Sequence, residues 1–161
     1  MSRSGIARAG LIVVALCLPY GAAGAASSPF AAMAGTWSGS GTLSTTDGAQ
    51  ERLRCRATYN VAGGGGELRL NLRCASQSYN FDLAGNVEYR DGAISGSWSE
   101  ATRNASGTIS GRATADHVDA AARGDNFSAN LSLTTRGSRQ SVSIRPQGTN
   151  VTGVSLALNR R

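Results

Sequence analysis

ERLRCRATYNVAGGGGELRLNLRCA, residues 51–75, is the stretch on which the fold turns. In its first half Leu53, Cys55, Ala57 and Tyr59 alternate onto one side, and in its second half Leu68, Leu70, Leu72 and Cys74 do the same. A period of two is the mark of a strand with one buried face. Gly63–Gly66 lies between the halves and supplies turn backbone at no steric cost. If these glycines form a hairpin loop, Ala62 faces Glu67, and counting outward sets Cys55 opposite Cys74 on the apolar side. Facing residues of an antiparallel pair lie ~4.5–5.5 Å apart at Cα, within reach of a disulfide. The same register sets Arg56 opposite Arg73 on the polar side, with Arg52, Arg54 and Arg69 nearby. Apolar pattern, loop and cysteines therefore agree on one register.

The rhythm continues on both sides of this hairpin. Strands are predicted near Thr36–Thr45, Glu51–Val61, Glu67–Ala75, Tyr79–Arg90, Ala93–Glu100, Ser106–Thr114, Asn126–Thr135, Arg139–Arg145 and Val151–Leu158. The fourth is expected to bend or break at Gly85-Asn86. His117–Arg123 suits either one helical turn or a further strand, and the surrounding rhythm favours the strand. Thr46-Asp47-Gly48, Asp91-Gly92, Arg136-Gly137-Ser138 and Gln147-Gly148-Thr149-Asn150 supply turns short enough to join antiparallel neighbours. The expected fold is all-β: a single antiparallel up-and-down barrel, or a strongly curled meander, of eight to ten short strands with one cross-strand disulfide. An apolar residue followed two positions later by glycine recurs at Trp37/Gly39, Ile94/Gly96, Ile109/Gly111 and Val151/Gly153. Glycines so placed mark tight curvature, with a hollow ligand cavity as the alternative reading, and Gly39 and Gly96 are expected to make room for Trp37 and Trp98.

Residues 1–25 read as an export signal: Arg3 and Arg8, the apolar run Leu11–Leu18, then Ala23-Gly24-Ala25 as a small-x-small cleavage site. The run is too short for a permanent span, which needs ~20 apolar residues. Cys17 lies inside it and follows Leu16, where a lipidation motif needs a small residue, so it is given no role in the mature protein. The expected organisation is a signal peptide (1–25), a lead segment (26–34) and one β domain (35–161), located in the periplasm or secreted. Leu, Ile, Val and Phe make up about a sixth of the exported part, a thin core for which a disulfide is most useful. Cys55 and Cys74 are its two cysteines, and an oxidising compartment makes their disulfide the expected state. All basic residues are arginines; fourteen of them against ten carboxylates leave the exported part at +4, which permits an anionic partner without requiring one.

Little in the chain points to catalysis. His117 is the only histidine, which excludes a multi-histidine metal site, and its spacing to Asp119 matches no catalytic pattern. The carboxylates are scattered beside turns, and both cysteines are committed. Gly63–Gly66 lacks the Lys-Ser/Thr that follows a phosphate loop. No enzyme activity, cofactor or metal is expected. Nucleic acid is disfavoured because aromatics do not interleave with the arginines. A membrane-spanning barrel is disfavoured because the side opposite the leucines carries Arg, Asn and Glu.

Phe30 followed by Gly35-Thr36-Trp37 at the opening of the first strand resembles the start of calycin barrels, the lipocalins, avidins and their relatives. That resemblance implies a tryptophan closing one barrel end and a C-terminal arginine packed across it, with Arg160 first and Arg145 second for the role. The stretch Gly92–Trp98 is also avidin-like, but the biotin-contacting residues find no match, so biotin binding is not carried over. Trp37–Gly41, Asn126–Ala129 and Arg139–Ile144 resemble segments of small exported β proteins of alphaproteobacteria that have no assigned function. The expectation that follows is a non-enzymatic binding barrel for a small apolar or amphipathic ligand, with Trp37, Trp98, Tyr59 and Tyr89 as wall residues. The alternative is an envelope-interaction protein acting through an anionic-surface patch of Arg52, Arg54, Arg56, Arg69 and Arg73. A protease inhibitor acting through Ser27–Phe30 is a further form of that alternative.

Overall fold

The computed structural model describes residues 27–161; the expected export signal lies outside them. Ten antiparallel strands run up and down: β1 (Gly35–Thr45), β2 (Gln50–Ala62), β3 (Glu67–Ala75), β4 (Asn80–Arg90), β5 (Ala93–Glu100), β6 (Ala105–Ala113), β7 (His117–Gly124), β8 (Ser128–Arg136), β9 (Arg139–Gln147) and β10 (Val151–Arg160). Each pairs with its neighbours in sequence, and β10 returns to β1, so the sheet closes into a barrel with no free edge. The expected hairpin is present in its expected register: Ala62 faces Glu67, Arg56 faces Arg73, and Cys55 faces Cys74. The two cysteines are joined in a disulfide, their Cα atoms 4.1 Å apart. The four-glycine loop takes up one 3₁₀ turn, Gly63–Gly65, with all three glycines at positive φ.

Alternation sends the apolar set inward on every strand and leaves most of the Arg, Ser, Thr and Asn outside. The residues 117–124 form a strand. Two expectations are corrected. The fourth strand is not broken at Gly85-Asn86: β4 keeps continuous register with β3 and β5, and Gly85 is buried beside the Leu70 side chain. Gly39 and Gly96 do not make room for the tryptophans. A Cβ on Gly39 would lie 1.9 Å from the Ala157 carbonyl oxygen, and one on Gly96 2.0 Å from that of Asn86. At these points neighbouring backbones crowd the inner side, so the curvature reading of the motif holds there. Gly153 is different: it sits beside the register shift between Ser44 and Thr45, and a Cβ there would meet only the Ile144 carbonyl oxygen, at an ordinary 3.9 Å.

The two barrel ends differ. A four-residue helix, α1 (Phe30–Met33), plugs the end where β1 begins, with Pro29, Phe30 and Met33 buried in it. Trp37 is fully buried there, and its indole N–H donates to the Met33 carbonyl at 2.7 Å. The Arg160 guanidinium lies 4.6 Å over the Trp37 ring and donates to the Ala32 and Ala34 carbonyls. Arg160 is thus the arginine that packs across the tryptophan; Arg145 points outward, in register with Asn130. Beneath the plug the Tyr59 hydroxyl donates to Gln140 at 2.7 Å, and Gln140 donates to Thr135 at 3.1 Å. Burial pushes the Tyr59 phenol well above its ordinary pKa, against the opposing hydrogen bond to Gln140.

Candidate functional site

The opposite end, where β1 ends and β2 begins, is open and hollow. A cavity of about 430 Å³ runs into the barrel there, within the size range of small-molecule sites. Its wall is mainly apolar: Leu53, Leu72, Leu83, Phe81, Trp98 and Leu156 contribute from five strands. Phe81, Leu72, Leu83, Ile144 and Val154 point inward by alternation yet remain only half-buried, each with part of its surface on the hollow. Trp98 is 8% exposed, with its ring edge-on to Phe127 at 5.5 Å. The indole is seated on Gly107 and Gly124, where a Cβ would come within 2.9 and 3.1 Å of the ring system. Its buried N–H has no hydrogen-bond partner among the described residues, and the indole nitrogen lies against Gly107.

The rim carries the polar groups. Glu100 faces inward from the last position of β5 and is 6% exposed. It accepts from the N–H groups of Asp82 at 2.9 Å, Thr102 at 3.2 Å and Arg103 at 2.9 Å, and from the Thr102 hydroxyl. Burial pushes this carboxyl upward, but those hydrogen bonds outweigh it and hold the pKa below the ordinary Glu value. Its oxygens are committed to the 101–104 turn and to the Asp82 N–H. Arg103 lies across the rim, 3.5 Å from Glu100, 4.9 Å over the Phe81 ring, and donating to the Asn80 carbonyl at 3.1 Å. Tyr79 stacks on Phe81, and its hydroxyl accepts from Asn150 at 2.7 Å.

Outside the same wall, a shallow trough crosses β1–β4 and is bordered by Arg52, Arg54, Arg56, Arg73 and Arg161. Its floor is made of small residues, Ser38, Ser40 and Ala75. Register explains the grouping: Ser40, Arg54, Ala75 and Asn80 form one row across four strands, and Ser38, Arg56, Arg73 and Asp82 form the next. Asp82 pairs with Arg73 at 3.2 Å, whereas Arg54 and Arg56 have no carboxylate partner among the described residues.

The four aromatic residues expected as wall are all inward, but only Trp98 borders the cavity. Trp37 and Tyr59 belong to the plugged end, and Tyr89 packs edge-on against Phe30 at 6.2 Å. Of the five arginines expected as a patch, Arg52, Arg54, Arg56 and Arg73 meet at the trough. Arg69 does not; it stands between Asn60 and Asn86, four residues along β3 from Arg73, about 13 Å. Arg161 takes the fifth place, its side chain donating to Ser38. Leu53, Phe81, Glu100 and Arg103 were not anticipated as site residues. Alternation placed the first two inside, but only barrel closure shows which end is empty. His117 lies at the plugged end, its ring bonded to Thr134 and Asp119. Among the described residues no group of three His, Cys, Asp or Glu is placed to hold a metal ion.

No protein-family model matches this chain. No curated protein matches it either. Among solved structures, the crystal structure of Rv2717c from M. tuberculosis is similar, with a TM-score of 0.65 over 81% of this chain and 93% of that one, at 12% identity. At that identity the likeness is one of fold.

Proposed function

We propose that this protein is an exported, non-enzymatic binding protein that holds a small apolar or amphipathic molecule in the open half of its barrel. The observation that carries the reading is the cavity itself: inward apolar side chains lining about 430 Å³ at one end, while the other end is filled by α1 and Trp37. Leaving such surface uncovered sacrifices burial worth ~25 cal/mol per Å² in a chain whose core is already thin, and a ligand restores it. The inward carboxylate, Glu100, is saturated by the turn it anchors, which favours binding over acid–base chemistry. The Cys55–Cys74 disulfide supports the periplasm or the extracellular space. The outer wall of Arg, Ser, Thr and Asn, together with the apolar lumen, is the reverse of the polarity of a membrane barrel. Among the described residues no helix is long and apolar enough to cross a membrane. The Arg160–Trp37 clasp supports a calycin-like placement.

The test is native mass spectrometry of protein purified from its own periplasm, followed by Trp98 fluorescence titrated with a panel of lipids and metabolites. A retained small molecule, or a saturable Trp98 response that is absent in Trp98→Phe, supports the reading. An empty protein with flat traces across the panel overturns it.

The arginine trough favours a second reading, docking to an anionic envelope surface. The inhibitor form of that alternative requires Pro29 and Phe30 to leave their buried seat in the plug before they enter a protease. Loss of protease inhibition on trimming residues 27–31 is the observation it demands.

A further inference from the structure

We infer that the ligand is a single-chain amphiphile with a phosphate head, its chain in the barrel and its head outside, over the rim, on Arg54, Arg56 and Arg73. The inference rests on the binding-barrel reading above and adds the chemistry of the ligand.

The cavity and the arginine trough lie on opposite sides of one wall and end on the same turn. Glu100 and Arg103 line the mouth of the cavity, and Thr102 between them borders the trough. Arg103 spans the two, stacked on Phe81 on the inner side and bonded to the Asn80 carbonyl on the trough side. From Asn80 the row across the sheet runs through Ala75 to Arg54. Strands are ~4.8 Å apart, so the Arg54 backbone lies about 10 Å from the rim. Ala75 is small, and nothing in that row stands between the rim and the arginines. A chain leaving the cavity beside Phe81 therefore meets a cationic trough within one headgroup's length.

The charge pattern names the head. Five arginines border the trough and one carboxylate, Asp82, answers them through Arg73 alone. Arg56 stands directly opposite Arg73 in the register, a like-charge pair that an isolated sheet disfavours. An anion placed between Arg54, Arg56 and Arg73 removes that repulsion. Paired guanidinium forks suit the several oxygens of a phosphate, which they take in bidentate fashion. The hydroxyls of Ser38 and Ser40, which accept from Arg161 and Arg52, keep their own protons to donate to such a head.

The experiment uses three probes on the full exported chain: oleoyl lysophosphatidic acid, the neutral monooleoylglycerol, and glycerol 3-phosphate, which is the head without a chain. Binding is read by Trp98 fluorescence and by calorimetry at low and at physiological salt. The expected result is at least tenfold tighter binding of the phosphate amphiphile than of the neutral one, with a Trp98 response to both and none to glycerol 3-phosphate. Arg54→Gln/Arg56→Gln is expected to reduce the phosphate amphiphile to the neutral one's affinity. Arg69→Gln, an outward arginine away from the trough, leaves it unchanged. Both variants alter exposed side chains, and circular dichroism checks their fold. Equal binding of the two amphiphiles, unaffected by the double substitution, overturns the head assignment while the cavity reading stands. Calorimetric binding of glycerol 3-phosphate as tight as that of the amphiphile makes the trough a free-phosphate site and overturns the proposal. No Trp98 response to either amphiphile counts against this ligand class, and a flat response to the wider panel as well removes the cavity reading.

Discussion

The two ends of this barrel are built from the same alternating strands and finished in opposite ways, which their tryptophans show most clearly. Trp37, at the plugged end, donates its indole proton to Met33 and lies under Arg160. Trp98, at the open end, has a buried indole proton with no acceptor among the described residues and a hollow beside its ring. Around Trp37 the buried Tyr59, Gln140 and Thr135 bond to one another. Around Trp98 the apolar wall is half-covered, and the one buried carboxylate serves a turn. Cohesion is concentrated at one end and capacity at the other. A barrel with few large apolar residues has enough to pack one end tightly, and the lumen at the other end stays open.

The comparison is broken most directly at Trp37. Trp37→Ala is expected to lower stability by about 3–5 kcal/mol, since it empties a fully buried site and orphans the Met33 carbonyl. Leu83→Ala on the cavity wall removes a half-buried side chain and should cost well under half as much. Urea denaturation of both variants measures the difference, and equal losses would erase the distinction between the ends. The next largest effect is at the wall that joins them. Cys55→Ala/Cys74→Ala opens a bridge spanning 19 residues and is expected to cost about 3 kcal/mol, read from the urea midpoint.

Glu100 sharpens the open end. Glu100→Gln should cost about 2 kcal/mol at pH 7, by weakening charge-assisted hydrogen bonds to the 101–104 turn. Because the folded pKa is held below the unfolded value, this contribution is fully present above about pH 4.3 and is lost as pH falls through the folded pKa. The gap between wild type and Glu100→Gln should therefore narrow in acid, which urea midpoints at pH 7 and pH 3 measure; a constant gap would show that the charge is not what holds the turn. The smallest effect expected is that of Trp98→Phe, within about 1 kcal/mol of wild type, since the lost ring area is offset by removal of an unsatisfied N–H. Trp37→Phe, which forfeits a made hydrogen bond, should be the more costly of the pair.

Much of the fold was legible because one-residue slips are heavily penalised where one strand face is buried. In residues 51–75 the leucines, the glycine loop and the cysteines each demanded the same register, and Cys55 faces Cys74 accordingly. The break considered at Gly85 did not occur, and the sequence could not decide it, because a strand glycine reads alike whether pairing is interrupted or a neighbour such as Leu70 covers it. The site was legible only in part. Alternation correctly turned Trp37, Tyr59, Tyr89 and Trp98 inward, yet a period of two carries no information about height along the barrel. Three of the four fall at the plugged end. The arginines were visible as one face, but Arg69 and Arg161 exchanged places because membership depends on rows across four strands.

What the amino-acid order determined by itself is therefore local and periodic: which residues pair, which face is apolar, where the chain turns and which cysteines meet. Those properties follow from the strand repeat and from turn chemistry within a hairpin. Closure of β10 onto β1, the seating of α1 in one mouth and the alignment of Arg103 between lumen and trough depend on contacts between residues far apart in the chain. No short-range pattern encodes them, because they arise when curvature accumulated over ten strands brings the first and last together. That long-range geometry placed the plug at one end and left a cavity at the other.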